Sequence, residues 1–186
     1  MEKSYFTLRE WAITVPLAVI SALINTYLPI KSITEYLGVP GPAAGMALFG
    51  GIIFVLWVSL AYQVTGKKYS GVVASLIIAV ICLFIYPWYG IRDPSWFSVY
   101  GIVGLVSMGI VIEVMSRSYW RSVAGGGLAN LSCLVITWLA IGFHTDTWIP
   151  TEWAPFLVFG AIISGSIGVL IAQEVNKGIR KIGQSN

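Results

Sequence analysis

Charge is what this sequence has least of. Only 10% of its 186 residues are Asp, Glu, Lys or Arg, against about 25% in an ordinary soluble domain. Too few polar groups remain to cover a surface that faces water. Histidine occurs once, as His144, and cysteine twice, as Cys82 and Cys133. A single imidazole with no second His or Cys at ligand spacing argues against a zinc site. The two cysteines each fall inside an apolar run and read as small core residues, not as a disulfide or a metal pair. A Walker loop, a G-x-S-x-G elbow and a dinucleotide fingerprint are all missing. The cluster Gly125-Gly126-Gly127 lacks the Lys-Ser/Thr that a phosphate cradle needs. The expectation is a chain that is not an enzyme and binds no metal or cofactor of its own. Its net charge of +3 is distributed over several loops, which argues against a nucleic-acid-binding face.

Apolar length is what the sequence has in abundance. It is 57% hydrophobic, with a mean hydropathy of +0.83. Residues 11–30, 36–66, 69–91, 94–112, 122–143 and 153–173 contain no ionisable Asp, Glu, Lys, Arg or His, and each run is at least 19 residues long. About 20 apolar residues carry a helix across the hydrocarbon core. With no water there, every backbone N–H and C=O must be paired within the segment, so these runs are expected to be helices. The alternating polarity of membrane strands is not seen. The reading is an all-α integral membrane protein, one domain over residues 1–186. Its six transmembrane helices are placed near 8–30, 43–64, 70–89, 96–117, 121–143 and 154–178. Met1 to Trp11 carries Glu2, Lys3, Arg9 and Glu10 with no small-residue cleavage site after it, so the first span is read as retained.

Orientation follows from the placement of Lys and Arg. With a cytoplasmic N-terminus, nine cations (Lys3, Arg9, Lys67, Lys68, Arg117, Arg121, Lys177, Arg180 and Lys181) lie inside, and only Lys31 and Arg92 lie outside. Both ends of the chain are therefore expected on the cytoplasmic side of an inner or plasma membrane. The acidic residues lean the other way, with Glu35, Asp93, Asp146 and Glu152 outside.

Three features stand out within this plan. Away from the span ends, Glu113 is the one ionisable residue read as lying within the membrane, near the inner end of the fourth span. It reads either as an interfacial carboxylate paired with Arg117 one turn later or as a polar anchor inside the bundle that faces the ligand or a partner. Small residues recur at helical spacing in the first span (Ala18, Ala22) and the last (Ala161, Ser164, Gly165, Gly168, Ala172), where they allow helix backbones to approach closely. The outer face, finally, is rich in aromatics: Tyr36, Trp88, Tyr89, Trp96, Trp148 and Trp153. Such rings form an interfacial belt, or else a surface on which a flat heteroaromatic or a cation stacks, with a carboxylate such as Glu152 orienting it. Asn25 and Tyr27 are positioned to add hydrogen bonds, and the 31–42 connection, ending in Pro40-Gly41-Pro42, to act as a lid.

The six-span layout, the motif Ala18-Val19-Ile20-Ser21-Ala22, the segment Gly45 to Ser75 and the run Gly101 to Val114 together resemble an S component of energy-coupling-factor (ECF) transporters. The likeness is greatest to the YkoE-type thiamine-related group. The resemblance implies a substrate-capture subunit in a prokaryotic cell membrane, working with a transmembrane coupling subunit and two ATPase subunits that consume the ATP. It implies a vitamin pocket near the outer surface, drawing here on Trp88, Trp96, His144, Trp148, Glu152 and Trp153. It also implies that Ala18 and Ala22 face the coupling subunit. No His-rich N-terminus is present, which argues against cobalt or nickel. Thiamine or its hydroxymethylpyrimidine precursor is the favoured ligand. The alternatives are a small stand-alone secondary transporter, which would be expected to show inverted repeats or broken helices, and a structural membrane subunit.

Overall fold

A computed structural model describes residues 5–36, 42–85 and 94–184. Among these there are only helices, joined by short turns. Five are long and apolar enough to cross a membrane: Leu8–Tyr27 (α1), Ala43–Thr65, Phe97–Met115 (α6), Tyr119–Thr145 (α7) and Ala154–Ile182 within α8. A further apolar helix, Ser70–Phe84 (α5), has 15 residues. The chain is a multi-pass membrane protein. The expected sixth span ran over 70–89, and residues 86–89 lie outside the described residues.

Local chemistry sets the ends of the elements. Thr7 and Glu10 form a reciprocal capping box at the start of α1, so the first turn's free amides are met in the manner of this motif. At its other end Leu28 is extended, with ψ 126°. The ring of Pro29 forces that conformation on the residue before it, so α1 stops at Tyr27, short of the expected residue 30. The expected lid begins instead with a short helix, Ile30–Tyr36 (α2), whose Ile30 and Thr34 are buried. Residues 37–41 of that connection are outside the described residues. Gly66, at φ +64°, closes the helix Leu56–Thr65 (α4), a left-handed position that glycine adopts without strain. α7 begins two residues before the expected start, and α8 (Ala154–Gln184) runs on past the expected residue 178.

The second span is not one regular helix. Pro42–Gly50 (α3) passes through a π-helical segment, Gly51–Val55, into α4. At this point the span lies backbone to backbone against α8. The Gly51 amide donates to Ser164 Oγ at 3.0 Å, and a methyl at Gly51 would coincide with the Ser164 carbonyl. Gly168 meets the Gly51 carbonyl in the same way, and Gly126 of α7 meets Gly165 of α8. With no hydrophobic drive between helices in lipid, such close backbone approach supplies the packing. Asn130 of α7, fully buried, ties the three together by donating to the carbonyls of Ala161 (3.0 Å) and Ala47 (3.4 Å). α6 packs on α7 and α5, and α1 packs on α5 and α4.

The inward face of α1 is Thr14, Ala18, Ser21, Ala22 and Asn25. Ala18 and Ala22 are 1% and 0% exposed. The expectation that these two face a partner subunit is therefore corrected: the chain's own α4 and α5 occupy that face. Their small size serves intramolecular packing, with Ser21 Oγ donating to the Ile53 carbonyl at 2.5 Å. What α1 turns to its surroundings is large and apolar: Val15, Val19, Ile20 and Leu23.

Contacts between connections sort the two ends of the bundle. Lys67 donates to the Tyr5 carbonyl and pairs with Glu10 at 3.2 Å. Glu113 binds the start of α5, and Lys177 lies 5.7 Å from the Tyr119 ring centre. The start of α1, the α4–α5 turn, the α6–α7 hinge and the last turns of α8 thus share one end. Asn25 with Cys82, and Trp96 with His144, mark the other.

Candidate ligand site

The aromatic end carries two clusters, one on each flank of the end of α7. On the α6 flank, His144 stacks on Trp96 with ring centres 4.4 Å apart and planes 11° from parallel. His144 Nε2 shares a hydrogen bond with the Tyr100 hydroxyl at 3.1 Å. Trp96 and Tyr100 lie one turn apart at the start of α6, so both project from the same face. The imidazole is held by a ring and a phenol and still open to the surroundings.

On the α8 flank, Trp138, Val135 and Leu139 of α7 face Trp148, Ile149 and Ala154 across a cleft of about 150 Å³. Asp146 ends α7 in the left-handed conformation, φ 52°, which Asp tolerates better than most residues. The chain folds back there, and the Trp148 ring lies directly on Gly142, where any Cβ would strike it. Phe143 meets Trp148 edge-on at 5.6 Å. The Trp138 indole N–H is buried with no hydrogen-bond partner. An unpaired buried donor costs on the order of 1–3 kcal/mol, so a ligand acceptor reaching Trp138 would recover that cost.

The residues expected at the site are thus divided. Trp96 and His144 come together, and Trp148 lines the cleft on the other flank. Trp153 is half-buried against the core, edge-on to Phe156 at 5.8 Å, and Glu152 beside it is exposed. Asn25 lies in the core, its amide donating to Cys82 Sγ at 3.8 Å, and Tyr27 is 78% exposed on the outside of α1. Neither Asn25 nor Tyr27 lines the cleft. Trp88 lies outside the described residues. Sequence reasoning missed Tyr100 and Trp138. Tyr100 was signalled by its spacing from Trp96, and Trp138 by being a tryptophan well inside a charge-free run. Among the described residues no three His, Cys, Asp or Glu side chains converge as a metal ion requires.

Glu113, two residues before the end of α6, has a different role from either sequence reading. Its carboxylate accepts from the backbone amides of Tyr69 (2.8 Å), Gly71 (2.8 Å) and Val72 (3.2 Å). It caps α5 from a neighbouring helix, in place of the side-chain cap that Tyr69 cannot supply.

The chain matches no family model, no curated protein and no solved structure.

Proposed function

We propose that this chain is the substrate-capture subunit of an ECF-type importer, and that it takes a small aromatic or cationic nutrient at the Trp138–Trp148 cleft. The unpaired N–H of Trp138, a residue that lines the cleft together with Trp148, supports this reading most. Ligand sites pair apolar walls with a few convergent polar groups, and a buried donor without a partner is a group awaiting an acceptor. Thiamine and hydroxymethylpyrimidine, flat heteroaromatics with ring nitrogens that accept hydrogen bonds, fit that chemistry. On this reading the membrane is a prokaryotic cell membrane; by the positive-inside rule the basic end, with both termini, is then cytoplasmic and the cleft faces outward. A coupling subunit that met α1 would meet Val15, Val19 and Leu23, and two ATPase subunits would provide the energy.

The test is a tryptophan-fluorescence titration of the purified protein with thiamine, hydroxymethylpyrimidine and a panel of other vitamins. Saturable quenching below micromolar concentration, more than ~8 kcal/mol of binding free energy, supports the proposal. A flat response to the whole panel overturns it and favours a structural subunit.

A further inference from the structure

The opposite end of the bundle holds a second cleft, of about 250 Å³, lined by Tyr62, Lys68, Tyr69, Val72, Ile110, Glu113, Val114 and Arg117. Its rim and its wall differ in chemistry. Lys68 and Arg117 are exposed cations at the rim, on the α4–α5 turn and just beyond the end of α6. Neither forms an ion pair with the carboxylate between them, because all of the bonds that Glu113 accepts come from backbone amides. The ammonium of Lys68 sits 4.7 Å from the Tyr69 ring centre. The Tyr69 side chain also raises the Lys68 pKa above its ordinary value, so the group stays charged. Below the rim the wall is Val72, Ile110 and Val114. It continues up the outer face of α6, where Val114, Ile110, Val103 and Val99 are 58%, 48%, 50% and 66% exposed.

A cleft with one side open to the flank of a membrane helix is filled by lipid, and the rim decides which lipid. We propose that this cleft binds one phospholipid with an anionic headgroup, its phosphate between Lys68 and Arg117 and an acyl chain along Val72, Ile110 and Val114. The Arg guanidinium matches phosphate oxygens in pairs, and Lys adds a point charge. Basic recesses between membrane helices take anionic headgroups on the same physical grounds. The three charged lining residues sum to +1 with Glu113 ionised, and the carboxylate's oxygens are directed at the start of α5. The site is independent of the proposed nutrient cleft, which lies at the other end.

The experiment is native mass spectrometry of the delipidated protein titrated with phosphatidylglycerol, phosphatidylcholine or inorganic phosphate. The expected result is one phosphatidylglycerol retained in preference to phosphatidylcholine. Lys68→Gln and Arg117→Gln should each weaken it roughly five-fold, in keeping with the attraction of one cation. Lys177→Gln and Arg180→Gln, at the same end, should leave it unchanged. Val114→Asp, which charges the apolar wall, should weaken phosphatidylglycerol further. Equal retention of both lipids overturns the proposal in favour of an apolar groove that does not read the headgroup, and equal loss with all four cation variants overturns it in favour of diffuse attraction to the whole basic end. Binding of inorganic phosphate as tight as that of the lipid overturns the acyl-chain part and leaves a site for free phosphate.

Discussion

Glu113 on α6 accepts the backbone amide of Gly71 on α5 at 2.8 Å, so one side chain satisfies the first turn of another helix. The sequence separation of 42 residues makes this a tertiary contact that joins two spans at the membrane boundary. Glu113→Ala leaves three amides without this partner, two of them partly buried. The expected cost is about 1–3 kcal/mol. Glu113→Gln keeps an acceptor and should fall between the variant and the parent. Thermal unfolding in detergent gives the order, and a Glu113→Ala midpoint equal to the parent's would show that the cap contributes nothing.

Gly51→Ala should be among the most damaging single methyl additions in the chain. The added group would fall on the Ser164 carbonyl, which is backbone and cannot swing aside, so α8 must move. Overpacking of this kind costs roughly 1–3 kcal/mol or more. Gly178→Ala is the control, since nothing lies within 4 Å of its added methyl and alanine favours a helix by about 1 kcal/mol. Parallel thermal unfolding of the two should give shifts of opposite sign.

Ala18→Leu tests the corrected face of α1. At 1% exposure the larger side chain has no room, and the isolated protein should lose stability by about 1–3 kcal/mol. Val19→Leu, on the outward face, should be neutral in the same assay. A stable Ala18→Leu protein that failed only to assemble with partner subunits would restore the partner-facing reading.

How much was legible in the sequence follows from these residues. Charge-free runs locate the spans, because the bilayer core tolerates neither ionised side chains nor unpaired backbone. Pro29 and Gly66 likewise mark helix ends, by the conformations they force or permit. The facing of Ala18 and Ala22 was not legible, since small residues at helical spacing serve a neighbour in the same chain and one in another chain equally well. Nor was the partner of Glu113: Arg117 is near in sequence, whereas the α5 amides are near only after folding. The aromatic site was read as one pocket, and it divides because the end of α7 stands between Trp96 and Trp148.

Trp138→Phe separates ligand binding from folding. It removes the unpaired indole N–H together with part of the ring, so relief of the unpaired donor and the small cavity left behind oppose each other, and stability should change by less than about 1.5 kcal/mol. Affinity for the nutrient found by fluorescence should fall about five- to ten-fold, the value of one neutral hydrogen bond. Unchanged affinity would place the ligand away from this cleft.

The π-helical segment Gly51–Val55 also sets a phase. Each residue of a regular helix turns the chain by roughly 100°, and a π segment holds one residue more per turn than its neighbours. Side chains after Val55 therefore point about a quarter-turn or more away from where a helical wheel drawn from Pro42 puts them. Ser59 and Gln63 inherit that offset, and with it Ser59 is buried in the bundle. Deleting a single residue at Ile52 would remove that offset together with the residue that causes it, so the helix would run straight with the lower half of the span still facing its partners.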